Sequence, residues 1–122
     1  MLHYTNDNTV FQSRFNQWIS SLHAYNEQLQ NISAITKQLA GHYDHTDYFN
    51  EVRWLQNEIV LKQRVIESLT EEVMQLTEQQ NFEPITVGFL LVNNKLREKI
   101  RKAEQDVFIL KFKVNQLLSS PS

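Results

Sequence analysis

The chain has 122 residues with 12 basic and 14 acidic side chains, a net charge of −2, two glycines, two prolines and no cysteine. That length suits one domain with its own core, and the missing cysteines exclude a disulfide framework, a thiol nucleophile and a cysteine-held metal. So few turn-forming residues weigh against a β-rich fold.

Residues 1–8 form a polar segment without lysine or arginine, and no apolar stretch of a secretory signal follows it. No later segment has the apolar run needed to span a bilayer, so the expectation is a soluble, cytoplasmic protein without membrane contact. Thr9 and Gln12 have the spacing of a capping box, which predicts a first helix over residues 9–40. Its apolar stripe is Phe11, Phe15, Trp18, Leu22, Tyr25, Leu29, Ile32, Thr36 and Leu39, at alternating steps of three and four. Gly41 can end it in the left-handed conformation.

Asp44 is placed to cap a second helix over residues 44–80, striped by Val52, Leu55, Ile59, Lys62, Ile66, Leu69, Val73 and Leu76. Pro84 denies Glu83 helical geometry and suits a first helical position, so the turn at residues 82–84 leads to a third helix over 84–119. Its stripe is Phe89, Asn93, Leu96, Ile100, Ala103, Val107, Leu110, Val114 and Leu117, with Gly88 a weak spot in the first turns. Residues 120–122 are a frayed tail.

Steps averaging 3.5 residues keep one seam of each helix facing a partner along its length. Short connections make neighbours antiparallel. The sequence therefore predicts an all-α fold, an antiparallel up-down-up three-helix bundle with long, coiled-coil-like helices of roughly 50 Å. Three such stripes can close on one another within a single chain.

Two stripe positions are polar, Lys62 and Asn93, and buried polar residues in a seam can fix register or oligomer state at a cost in stability. For Lys62 the favoured expectation is that it lays its stem on the core and its amine at the edge, near Leu22, His23 and Ala103. Several large apolar residues lie off the stripes: Trp54, Leu61 and Val65 on the second helix, and Phe108, Ile109 and Phe112 on the third. Folding the third helix back on the second brings residue 54 opposite residue 111. Trp54, Phe108, Ile109 and Phe112 then share one level of the rod, the pattern of a partner-binding or self-association surface. The alternative is that the bundle is thick there and buries them with help from Leu2 and Tyr4.

Other candidate chemistry has plainer explanations. The run from His42 to Asp47 offers imidazoles and carboxylates, yet the core stripes lack acids and no Glu-x-x-His pair is present, so it reads as a polar loop and a cap rather than a metal site. Residues 44–80 carry eight acids against three bases, and residues 83–120 carry seven bases against four acids. Lys95 falls near Glu71 and Glu72, and Lys99 near Glu67, so these charges pair the two helices and leave a nucleic-acid role for Lys95, Arg97, Lys99, Arg101 and Lys102 the weakest of the readings. No phosphate loop, nucleophile elbow or catalytic triad pattern is present. Neither catalysis, nor a small-molecule substrate, nor a cofactor is expected.

Three landmarks recur in order: W-I-S-S-L-H-A-Y from Trp18 to Tyr25, L-Q-N-E-I-V-L-K-Q-R-V-I-E-S-L from Leu55 to Leu69, and Leu96-Arg97-Glu98 leading to Leu117-Leu118. Carried mostly by heptad positions over roughly residues 15–118, they resemble small uncharacterised helical, coiled-coil proteins of Bacteroidetes. The resemblance implies a bacterial, cytoplasmic coiled-coil protein and brings no assigned activity or catalytic residue. The function expected is a non-enzymatic interaction or structural protein that binds a protein partner or self-associates, a dimer being favoured. The alternatives are a secretion or assembly chaperone that holds an amphipathic client helix in a groove, and a nucleic-acid-associated protein.

Overall fold

The computed structural model describes residues 2–42, 46–82 and 85–119, with side-chain surroundings from residue 10 to 41, 48 to 80 and 85 to 119. Three helices take up all of these ranges except residues 85 and 86: α1 (Leu2–His42), α2 (Thr46–Phe82) and α3 (Val87–Ser119). All three pack against one another as an all-α three-helix bundle.

The alternating three-and-four stripes are the core. Phe15, Leu22, Leu29, Ile32 and Leu39 of α1 are buried against Val52, Leu55, Ile59, Ile66, Leu69, Val73 and Leu76 of α2 and the whole run from Leu96 to Leu117 of α3. Burial of such apolar surface contributes about 25 cal/mol per Å² removed from water, and this is what holds three helices of this length together. Thr36 fits among these aliphatic side chains because its hydroxyl donates to the Ser33 carbonyl, 2.8 Å away, and so needs no partner across the core.

Contacts between helices fix the direction of each. Phe89 near the start of α3 meets Phe11 edge-on at 5.2 Å and Phe15 at 6.3 Å, and further along Tyr25 reaches Glu104, so α1 and α3 run parallel. Lys99 pairs with Glu72 at 3.4 Å and Lys62 with Asp106 at 3.3 Å, a descending order that makes α2 antiparallel to α3. The arrangement is up-down-up.

The helix ends differ from those predicted. Thr9 lies inside α1, which begins at Leu2. No glycine or proline interrupts residues 2–8, and extending a helix adds one hydrogen bond per residue fixed, so a capping pattern alone does not halt it. Gly41 is helical as well, and no glycine among the described residues has a positive φ. The third helix starts at Val87, later than predicted. Its cap is Thr86, whose hydroxyl accepts from the Phe89 amide at 3.1 Å while its carbonyl accepts from the Leu90 amide. Asp44, Pro84 and the tail at 120–122, given roles above, lie outside the described residues.

These later ends shift the pairing of α2 with α3. Lys99 meets Glu72 rather than Glu67, more than one helical turn from the predicted partner. The expectation of opposite charges between α2 and α3 holds, and only its register changes.

Candidate functional surface

Core-type position 62 is occupied as expected of a snorkelling lysine. Lys62 is half-buried, and its amine reaches the edge of the α2–α3 seam to pair with Asp106. Asn93 is buried, and its Nδ2 has no hydrogen-bond partner among the described residues. A donor taken out of water without a replacement bond costs about 1–3 kcal/mol.

The residues left over from the core are exposed. Trp54 keeps 46%, Phe108 69%, Ile109 47% and Phe112 55% of its accessible surface. The bundle is therefore not thick enough at this level to cover them. Leu2 and Tyr4, which could have helped, lie outside the described side chains. Phe108, Ile109 and Phe112 fall on α3 positions opposite its buried stripe, since 3.6 residues per turn sends 108, 109 and 112 away from 107, 110 and 114. Trp54 stands apart from this cluster on the α2 side, where the Lys113 amine sits 4.4 Å from the centre of its ring. That cation–π contact shields one face of the indole.

On the α1 side, an open groove of about 590 Å³ is lined by Tyr25, Gln28, Glu104, Gln105, Phe108, Ile109 and Lys111. Within this lining the Tyr25 hydroxyl donates to Glu104 Oε2. Burial, together with the bond to Glu104 and its negative charge, pushes the Tyr25 phenol up to about 12 from an ordinary 10.0. The groove has one carboxylate, one amine and an apolar wall, which suits contact with an amphipathic surface.

The chain matches no known family. Among curated proteins and solved structures, likewise, none matches it. The resemblance to helical proteins of Bacteroidetes gains no support from these comparisons, and the functional reading rests on the surface itself.

Sequence reasoning singled out one apolar cluster and missed another. Val87, Leu90, Leu91 and Val92 at the start of α3 are exposed, as is Met74 of α2. The signal for Leu90 and Leu91 was present: they precede Phe108 and Ile109 by eighteen residues, five full turns. The His42–Asp47 run lies outside the described side chains. Among the described residues no three histidine or acidic side chains gather as a metal-holding group, and no helix is long and apolar enough to cross a membrane.

Proposed function

We propose that this is a non-enzymatic protein that acts through helix–helix contacts and associates with itself, as a dimer, through apolar residues on the outside of the bundle. The observation that carries this reading is the exposure of Phe108, Ile109 and Phe112 together on adjoining turns of α3, with Trp54 exposed separately on the α2 side. A three-helix core that already closes on itself does not need them, and aromatic clusters left in water are the usual mark of a contact surface. The bacterial, cytoplasmic setting implied by the sequence resemblance belongs to the same proposal.

Sedimentation velocity over a range of concentrations tests it. The native chain is expected to associate reversibly, and Phe108→Ala with Phe112→Ala to shift the population toward monomer while the helical content stays the same. A native chain that remains monomeric throughout would sink the idea.

A second reading is favoured by the groove between α1 and α3: a small chaperone that holds an amphipathic helix of a client. A monomeric protein that binds amphipathic helical peptides, and loses them on Phe108→Ala, would support this over self-association. The basic residues of α3 favour a nucleic-acid role least, because Lys99 is paired with Glu72 and Arg101 lies 3.9 Å from Glu98. Any binding of that kind would have to fall steeply with salt.

A further inference from the structure

The outward strip of α3 has the same spacing from either end. From its start, Val87, Leu90, Leu91 and Asn94 follow at intervals of three, one and three; from the other end, Phe112, Ile109, Phe108 and Gln105 do the same. Four residues further inward from each amide stand Glu98 and Arg101, one acid and one base. All are exposed, Val87 to 74%, and at 3.6 residues per turn they occupy one side of the helix.

A strip that reads apolar, amide, acid, base, amide, apolar is self-complementary under a two-fold axis across the helix, the requirement for an isologous contact. We infer that a second copy of this chain docks on this face with its α3 antiparallel, the axis passing between Lys99 and Ile100. This rests on the self-association reading above and adds the face and the direction.

In that arrangement Phe112 lies opposite Val87 of the second copy. Phe108 and Ile109 pack on Leu90 and Leu91, and Gln105 meets Asn94. Near the axis Arg101 meets Glu98 twice. Glu98 and Arg101 lie 3.9 Å apart within one chain, so two copies form an alternating group of four charges. A parallel pairing in register would instead set Glu98 on Glu98 and Arg101 on Arg101, and like charges brought together oppose association. Both apolar clusters, about 30 Å apart along the helix, are covered only in the antiparallel direction or a parallel one that accepts that repulsion.

The cysteine-free chain makes the test direct. Val87→Cys and Phe112→Cys variants are each treated with a short thiol-to-thiol crosslinker, alone and mixed. Covalent dimers are expected only in the mixture, because each position is about 37 Å from its own copy in the antiparallel pair. In parallel, Glu98→Arg and Arg101→Glu are each expected to weaken the dimer at least about tenfold, and their equimolar mixture to recover it. A native chain that stays monomeric would overturn the self-association reading itself. In a native dimer, cysteines that pair like with like would overturn the direction, whatever the charge mixture does, and no link together with no recovery in the charge mixture would overturn the face.

Discussion

The inward and outward faces of α3 draw on the same helix and differ in what they ask of their surroundings. The inward face is continuous: Leu96, Ile100, Ala103, Val107, Leu110, Val114 and Leu117 are all buried, at unbroken steps of three and four. Its residues are aliphatic and of moderate size, which suits the close spacing of three helices. The outward face gathers its apolar residues in two clusters, one aromatic and one aliphatic, with Asn94, Glu98, Arg101 and Gln105 between them. Apolar character alone therefore does not mark the core. Continuity of the step does, and the interrupted face is the one left available for contact.

The sharpest way to break this contrast is to truncate one residue from each face. Leu110→Ala empties a buried site and is expected to cost about 2–5 kcal/mol in chemical denaturation. Phe112→Ala, at low protein concentration where monomer prevails, should change stability by no more than about 0.5 kcal/mol. Comparable losses from both would mean that the outward face is part of the monomer's core.

A gain in stability is expected at the polar break in the inward face. Asn93→Leu removes the unbonded Nδ2 and adds apolar contacts, for an expected gain of about 1 kcal/mol by the same measurement. Destabilisation would show that the amide is satisfied in solution.

The border between the faces carries a smaller effect with a pH signature. Tyr25→Phe is expected to cost about 0.5–1.5 kcal/mol at neutral pH through the lost bond to Glu104. A phenol whose folded value is raised favours the protonated form. Its contribution is therefore complete below about pH 10 and disappears as pH climbs through about 12. Alkaline titration of tyrosinate absorbance should show one of the four tyrosines ionising last and lose that component in Tyr25→Phe. If all four ionise together, Tyr25 is not held by Glu104.

The smallest change is expected at the α2 border. Replacing Lys62 by Met breaks a half-exposed pair with Asp106 yet keeps the packed stem, so denaturation should move by less than about 1 kcal/mol in either direction.

The bundle was legible in the sequence because burial follows a period, and period survives without any knowledge of neighbours. Lys62 at the edge and Asn93 inside were legible for the same reason. Helix ends were less so. Thr9 carries a good cap pattern and Gly41 a good terminator, yet both are helical, because ends depend on competition with continued hydrogen bonding. Thr86, the observed cap of α3, lies two residues after the more conspicuous Pro84. The partner of Lys99 then moved with those ends. On the outward face, the Phe108 cluster stands out through its aromatic residues, whereas Val87, Leu90 and Leu91 are aliphatic and flank Phe89, the first residue of the buried stripe, so nothing in their residue type sets them apart from it.

An odd number of helices leaves the two extremities of the described chain far apart. α1 and α3 run in the same direction, so Leu2 and Ser119 stand at opposite ends of a bundle whose third helix alone is about 50 Å long. Whatever is joined at those positions is kept separated by a stiff strut, and tension applied between them runs along the helix axes rather than peeling a hairpin open. Donor and acceptor dyes at the two positions would hold a long, narrow distance distribution.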